Sequence, residues 1–295
     1  MNRGILYAVS AYVIWGLLPI YWKALHIVPA GQILAHRIVW SLAFVGLVLT
    51  ARRKWAWWGE AKKRPRVLLT FAFSGTLLAV NWYTYIWAVN AGHIVETSLG
   101  YFINPLVNVL LGFLFLKERL RVAQWLALSV AAAGVVYLTF NYGSFPWIAL
   151  TLAFTFGAYG LLRKTAALNS AEGLFLETAV LFLPALGFLL LQQAHGTGAF
   201  AHTGVATSLL LIGAGAATSI PLLLFASGAR RITMTTLGLL QYIAPTLQFL
   251  IGVLIYKEPF GVERLIGFGL IWLALVLYTV EGYISHRRRT TAPAV

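Results

Sequence analysis

One arginine of this sequence lies inside a long apolar stretch, where a charged side chain is uncommon. Arg37 stands in the segment QILAHRIVWSL, directly after His36. Leaving a charge unpaired in such a position costs about 3 kcal/mol. We expect Arg37 to pair with Glu96 at the mouth of a cavity, where its guanidinium would also attract an anionic group of a ligand. The alternative is that this arginine extends its charged end to a polar boundary and has no further role.

Two segments that lie 140 residues apart share a pattern of proline, amides and a final Lys-Glu pair. They are LGYFINPLVNVLLGFLFLKE at 99–118 and LLQYIAPTLQFLIGVLIYKE at 239–258, which align Pro105 with Pro245. Because proline has no N–H, each is expected to break its helix and to free the carbonyl oxygen four residues earlier.

The polar side chains of these two segments fall on one helical face in each. Amides are unfavourable in an apolar medium, so this face should look into the bundle or into water. The pattern predicts a cavity lined by Tyr101, Asn104, Asn108, Gln241 and Gln248. The alternative is that the amides only hold helices together and that the prolines are simple kinks.

Three further side chains are candidates for the same lining. Asn81 and Tyr85 lie one helical turn apart, and Trp15 belongs to the first apolar segment. Together they would form an aromatic and amide wall suited to a flat or amphipathic ligand.

Two titratable residues are candidates for carrying a coupling proton. Glu177 occupies, in the second half of the chain, the place that His36 holds in the first half. A buried carboxylate can exchange a proton with its surroundings. The alternative for Glu177 is a structural place near a helix end, beside Arg163 and Lys164.

Residue types that metal sites and many enzymes need are missing. Cysteine and aspartate are both absent, and His195 and His202 lie in a loop with no third ligand nearby. We therefore expect no metal site, no cofactor and no disulfide. An intramembrane enzyme is disfavoured, because no catalytic pairing of the protease or phosphotransferase kind is present.

Apolar runs of about 20 residues recur along the whole chain, as in a polytopic membrane protein. The chain has 295 residues, of which 60% are hydrophobic and 10% are charged. The fold class predicted is all-α, with ten transmembrane helices near 4–23, 30–50, 67–89, 94–116, 123–141, 145–162, 173–192, 206–228, 233–255 and 262–283.

The net charge of +14 is concentrated between the apolar runs. When the amino terminus is taken as cytoplasmic, 18 of the 22 Lys and Arg residues fall on the inner side and three, Lys23, Lys257 and Arg264, on the outer side. Both termini are therefore expected in the cytoplasm. The basic clusters predict contact with anionic lipid at the cytoplasmic face, or serve only as an orientation signal, and no nucleic acid is expected.

The two similar segments indicate an internal repeat of five helices. The first half covers residues 1–142, the second half 143–285, and a basic cytoplasmic tail 286–295. An odd number of spans per half inverts the second half in the membrane, which is an architecture that supports alternating access. Small residues such as Gly267 and Gly269 in the last helix would form either an internal contact or the seam of a homodimer.

Ten spans in two halves, each with a Pro-centred helix and a Lys-Glu turn, resemble the EamA-type transporters of the drug/metabolite transporter superfamily. The segments AYVIWGLLPIYWKAL, ILAHRIVWSL, NWYTYIWAVN and ETSLGYFINPL resemble its RarD branch over essentially the whole chain. This resemblance implies a permease of the bacterial inner membrane with a central cavity. The branch is named for chloramphenicol sensitivity, and the resemblance leaves the substrate open.

The function expected is that of a secondary transporter for a small anionic or zwitterionic metabolite, such as an amino acid-like compound. Arg37 favours that substrate class. The alternative is an exporter of amphipathic, chloramphenicol-like drugs, although the first helix has no acidic residue of the kind that exporters of cationic drugs carry. A channel is less compatible with a self-contained repeat.

Overall fold

The computed structural model describes residues 2–90, 94–142, 145–255 and 261–291, and the side chain of Glu96 is among those outside this description. Helices make up nearly all of the described chain. In order they are α1 (Arg3–Lys23), α2 (Ala30–Ala51), α3 (Ala56–Lys62), α4 (Pro65–Asn90), α5 (Ile94–Leu116), α6 (Val122–Tyr142), α7 (Trp147–Thr165), α8 (Ser170–Ala194), α9 (Val205–Ala229), α10 (Met234–Gln241), α11 (Ile243–Leu250), a π-helical turn (Ile251–Ile255) and α12 (Val262–Thr291).

Seven of the described helices are long and apolar enough to cross a membrane, namely α1, α2, α4, α5, α6, α8 and α9. Their bounds agree closely with those predicted from the hydropathy of the sequence. For example, the predicted helices near 30–50 and 94–116 are observed as α2 and α5. The all-α, polytopic class is confirmed.

The ninth predicted helix, 233–255, is wrong as a single element. It is divided into α10, α11 and the π-helical turn. The break falls at Tyr242, whose N–H bonds to the carbonyl oxygen of Leu239, three residues earlier, at 3.3 Å. Pro245 therefore lies in the first turn of α11, where a missing N–H leaves no intrahelical bond unmade.

The predicted helix break at Pro105 is also wrong, since α5 continues through this residue. The same is true of Pro19 in α1, Pro184 in α8 and Pro221 in α9. A helix packed on several neighbours keeps its course past a proline, because adjacent helices and side chains satisfy the freed backbone groups.

Two further elements differ from expectation. The connection after α2 contains the short helix α3. The last helix extends to Thr291 and so enters the predicted tail at 286–295.

The long helices pack in both relative directions: α1 and α9 run antiparallel, whereas α5 and α7 run parallel, with Gly100 facing Ala149 and Gly157 facing Val107. Along α1 and α9, for example, Gly4 lies against Arg231 at one end, and the Tyr21 hydroxyl donates to the Leu210 carbonyl at 2.5 Å near the other. We call the end of the bundle that holds residues 52–66, 117–121, 163–169 and 230–233 the basic end, and the other the opposite end. The helix pairs in contact include α1 with α9 and α11, α2 with α8 and α9, α4 with α7 and α8, α5 with α7 and α10, and α6 with α12.

Large apolar side chains are exposed and polar side chains are buried, which is the reverse of a water-soluble protein. Leu47, Leu69 and Leu183 are between 67% and 73% exposed, whereas Ser41 and Asn108 are fully buried. Such a surface is stable only in an apolar surrounding, so polar groups must find their partners inside the bundle.

Close helix contacts predict where added volume is not tolerated. In Gly215→Ala, the new Cβ would lie 2.4 Å from the backbone carbonyl carbon of Trp40, which cannot move without shifting α2. We expect a loss of about 1–3 kcal/mol in the free energy of unfolding, measured by thermal unfolding of the purified protein. Gly187→Ala in α8 is the control, because its Cβ meets no atom within 4 Å. Equal melting temperatures for the two variants would contradict this packing.

Candidate functional site

A cavity of about 330 Å³ lies among α1, α2, α4, α5, α7, α9, α10 and α11. It brings together nine of the residues singled out in the sequence, namely Trp15, Arg37, Asn81, Tyr85, Tyr101, Asn104, Gln241, Pro245 and Gln248. The other walls include Trp22, Trp82, Phe156 and Thr218. The space therefore combines two cationic residues, Arg37 and Lys23, with several amides and hydroxyls and large aromatic surfaces.

Arg37 is held between two indole rings. Its guanidinium carbon lies 4.8 Å from the ring centroid of Trp22 and 4.6 Å from that of Trp82. Its Nε donates to the Thr218 hydroxyl at 3.0 Å. Cation–π contacts of this kind stabilise a cation that has lost its water.

The predicted ion pair between Arg37 and Glu96 falls on a side chain outside the described part of the chain. Among the described side chains, no carboxylate pairs with Arg37. The rings and the hydroxyl leave the two terminal nitrogens of the guanidinium without a described hydrogen bond, as an anion-binding group requires.

Two tyrosines complete this polar corner of the cavity. The hydroxyls of Tyr85 and Tyr101 lie near each other and near the guanidinium of Arg37. Their rings meet edge to face, with centroids 5.8 Å apart. Hydroxyls beside a guanidinium can orient the oxygen atoms of a bound group.

The amides of the cavity wall are anchored to the neighbouring helix. Asn81 Nδ2 donates to the Leu152 carbonyl and to the Thr155 hydroxyl, both at 2.9 Å. Asn104 Nδ2 donates to the Ala153 carbonyl at 3.2 Å. Both side chains are thereby fixed against α7.

Asn108 does not line the cavity, which corrects its predicted role. It is fully buried between α5, α7 and α10. Its Nδ2 donates to Asn104 Oδ1 at 3.1 Å and to Gln241 Oε1 at 2.7 Å. Asn108 thus positions two lining residues, and its own Oδ1 has no hydrogen-bond partner in the described part of the chain.

Gln248 and Trp15 form the far wall. Gln248 Nε2 donates to the Trp15 carbonyl at 3.2 Å. The Trp15 ring packs against Phe156 and Phe225, each with centroids 5.6 Å away. This cluster gives the cavity a flat apolar surface.

Glu177 and His36 both lie outside the cavity. Glu177 is fully buried, accepts from the Ser74 hydroxyl at 2.6 Å and from the Tyr159 hydroxyl at 3.4 Å, and pairs with Arg163 at 3.6 Å. The Nδ1 of His36 accepts from Trp40 Nε1 at 3.2 Å, and its ring contacts Phe200. The ion pair with Arg163 matches the structural alternative stated for Glu177.

The sequence did not indicate the residues that surround Arg37. Trp22, Trp82 and Thr218 come from three different helices. Trp82 follows Asn81 directly, which is a local signal, but nothing local marks Thr218, because it lies 181 residues from Arg37.

Hydrogen bonds join neighbouring helices and loops at the basic end of the bundle. Glu118 accepts from the backbone N–H groups of Met234 at 2.7 Å and Thr235 at 3.1 Å, and so caps α10. Lys164 Nζ donates to the carbonyls of Ala229, at 3.1 Å, and of Ile232. The cavity instead includes Trp22 and Lys23, at the opposite end of α1.

Comparison with known proteins decides the family. A model of the EamA-like transporter family matches residues 2–140. The chain is 50% identical to Protein RarD of Streptomyces exfoliatus, over 97% of this chain and 91% of that protein. The chain belongs to the RarD branch of the EamA-type transporters.

A second relative of this family is the uncharacterized transporter YojE of Bacillus subtilis, which is 49% identical over 94% of both chains. One crystal structure shares the fold, with a TM-score of 0.71, 20% sequence identity, and coverage of 95% of this chain and 98% of the other. As a RarD-type member of the EamA family, the protein is a multi-pass membrane transporter.

The buried pair of Glu177 and Arg163 predicts a large structural cost when one partner is removed. In Glu177→Gln, Arg163 stays buried without its counter-charge, so the free energy of unfolding should fall by about 3–5 kcal/mol. Thermal unfolding of the purified protein measures it. Glu60→Gln is the matched control, because its pair with Lys63 is solvent-exposed and contributes about 0–1 kcal/mol. Similar melting temperatures for the two variants would show that the pair is not structural.

Proposed function

We propose that this EamA-family protein is a secondary permease that moves a small anionic or zwitterionic metabolite, such as an amino acid-like compound, across the bacterial inner membrane. The observation that carries this proposal is Arg37 in the cavity, held by Trp22 and Trp82 and accompanied by two tyrosine hydroxyls. A guanidinium with unengaged terminal nitrogens matches the geometry of a carboxylate. The anchored amides and the aromatic wall would then contact the remainder of the substrate.

The transport mechanism we propose is alternating access between two inverted five-helix halves, residues 1–142 and 143–285. The helix contacts support it. When each helix is replaced by its counterpart in the other half, the pair of α1 and α9 becomes the pair of α7 and α4, and the pair of α1 and α11 becomes the pair of α7 and α5. All four of these pairs are in contact. In this arrangement ten helices span the membrane, with α10, α11 and the π-helical turn together forming one span.

Two glycines support the same symmetry at atomic detail. A Cβ at Gly16 would lie 2.7 Å from Leu247 Cβ, and a Cβ at Gly157 would lie 2.7 Å from Val107 Cγ1. Offsets of 141 and 140 residues relate Gly16 to Gly157 and Val107 to Leu247. The same close helix crossing is therefore made once by each half, as expected for related halves.

The orientation we propose places the basic end and both termini in the cytoplasm. The cavity then faces the outer side, and the cap of Glu118 on α10 closes the inner side. Release of this cap, with closure around Arg37, would expose the substrate to the cytoplasm. The coupling roles of Glu177 and His36 remain predictions, and neither side chain lines the cavity.

A second candidate is an exporter of amphipathic drugs. The aromatic share of the lining, with Trp15, Trp22, Trp82 and Phe156, favours it. The two candidates differ in whether ligand binding depends on the charge of Arg37.

Ligand-induced thermal stabilisation separates these two functions. We expect an amino acid-like or organic acid ligand to raise the melting temperature with concentration. In Arg37→Gln its affinity should fall about 10- to 100-fold, because a charge-assisted hydrogen bond is lost. Arg37→Lys should be intermediate, since it keeps the charge but not the planar fork.

The control for this comparison is Arg66→Gln, an exposed arginine at the basic end. It should leave ligand stabilisation unchanged. Stabilisation by amphipathic drugs alone, equal in wild type and Arg37→Gln, would contradict the metabolite proposal and favour the drug exporter.

The cap of Glu118 on α10 should control access to the cavity from the basic end. Since the chain has no native cysteine, Gln241→Cys provides a single thiol in the cavity. We expect this thiol to react with a membrane-impermeant reagent from the outer side and to be protected from the cytoplasmic side. Adding Glu118→Ala should raise the cytoplasmic labelling rate several-fold, because the acceptor for the Met234 and Thr235 N–H groups is lost.

Glu60→Ala, in the same background, is the control and should leave both labelling rates as they were. Equal labelling from both sides in the background itself would overturn the proposed closure.

A further inference from the structure

A second cavity, of about 710 Å³, lies at the basic end where α1, α2 and α9 end or begin beside the start of α8. Four cationic side chains line it, and these are Arg52, Lys54, Arg230 and Arg231. Among the residues that the structure describes, the carboxylate of Glu172 is its one acidic lining group. This cavity is separate from the one around Arg37, with which it shares no lining residue.

The single acid does not pair with these cations. Both oxygens of Glu172 accept from Asn169, one from its backbone N–H at 3.0 Å and the other from its side-chain amide at 3.1 Å. This capping box starts α8. The four cations thus outnumber the acid, and the cavity carries an excess of positive charge.

Two of the cations are fixed by the protein itself. Arg231 Nη1 donates to the Ser227 carbonyl at 2.7 Å, and its guanidinium carbon lies 5.3 Å from the Tyr7 ring. Arg230 Nη1 donates to the Leu168 carbonyl. Each keeps further donors, since a guanidinium carries five N–H groups.

The other two cations are brought to the cavity by a backbone turn. At the end of α2, the N–H of Lys54 bonds to the Leu49 carbonyl and the N–H of Arg53 bonds to the Thr50 carbonyl, both at 2.9 Å. Arg53 adopts a left-handed φ of 50° at this point. This is a Schellman motif, with an arginine where glycine is usual. Within the described structure, the side chains of Arg52 and Lys54 have neither a hydrogen bond nor an ion pair.

The remaining wall of the cavity is apolar. Val48 and Leu49 on α2 face Leu223 and Leu224 on α9. A charged mouth above an apolar wall fits an amphipathic anion better than a fully hydrated one, whose water would be displaced from Leu and Val without compensation.

We propose that this cavity binds an anionic phospholipid from the leaflet at the basic end. Its phosphate contacts Arg52, Lys54 and Arg231, and an acyl chain lies along Val48 and Leu224. Basic cavities between membrane helices on the cytoplasmic side are suited to such head groups. The lipid joins α2, from the first half of the chain, to α8 and α9, from the second.

Binding of defined lipids to the delipidated, purified protein tests this proposal. Phosphatidylglycerol should raise the melting temperature with concentration, and phosphatidylcholine of the same chain length should not. In Arg52→Gln/Lys54→Gln, the affinity for phosphatidylglycerol should fall about five-fold for each lost cation, or about 25-fold together. Because these two side chains make no described internal contact, the unliganded melting temperature should be unchanged.

The control is Arg64→Gln/Arg66→Gln, which removes the same charge at the same end but outside the cavity. It should bind phosphatidylglycerol like wild type. An equal loss in both double variants would mean general surface attraction and would overturn the proposal.

Two further measurements distinguish a lipid head group from a free phosphate as the ligand. Inorganic phosphate and glycerol phosphate should stabilise the protein far less than the intact lipid, because they leave the apolar wall uncovered. If they stabilise it equally, the site binds a free anion and the lipid proposal is wrong. If the double variant does not fold, Arg52→Gln and Lys54→Gln are measured separately, and each should show the five-fold loss.

Discussion

The hydrogen bond from Asn108 to Gln241 joins the two Pro-containing segments, and the wall of the central cavity depends on it. It measures 2.7 Å and lies in the buried interior, where α5 crosses α10. In such surroundings an amide without a partner costs about 1–3 kcal/mol, so this bond fixes the approach of the two helices. Asn104 and Gln241 are held by Asn108 from behind, and their remaining groups are presented to the cavity.

The two buried arginines show two ways to keep a cation in an apolar bundle. Arg163 is paired with Glu177 and packed against Gly173, so closely that even a Cβ at that glycine would collide with its Nη1. Arg37 is stabilised by indole faces and one hydroxyl. In the first arrangement a counter-charge within the protein neutralises the arginine, whereas in the second the charge remains available to a ligand. This difference is why the proposed substrate site is built around Arg37.

The two ends of the bundle are held together by different contacts. At the basic end, Glu118 caps α10 by accepting from its first N–H groups. At the opposite end, buried Gln32 binds the Thr197 carbonyl and the Ala199 N–H, both at 2.7 Å, and so ties α2 to the connection between α8 and α9. Both are side chain to backbone contacts that can be made and broken without unfolding a helix, as the proposed alternating access requires.

The sequence by itself determined the all-helical membrane class, most helix bounds and most of the polar lining residues of the cavity, because hydropathy and helical spacing are local properties. It also pointed to Arg37, since a lone charge in an apolar run is visible without a structure. Only the tertiary structure decided that α5 continues through Pro105 while the ninth predicted helix is interrupted at Tyr242. It likewise placed Asn108 behind the cavity wall and Asn104 in it, although the two lie one turn apart. These outcomes depend on which neighbouring helix supplies a partner, and that partner, such as Gln241 for Asn108 or Thr218 for Arg37, is more than a hundred residues away in the chain.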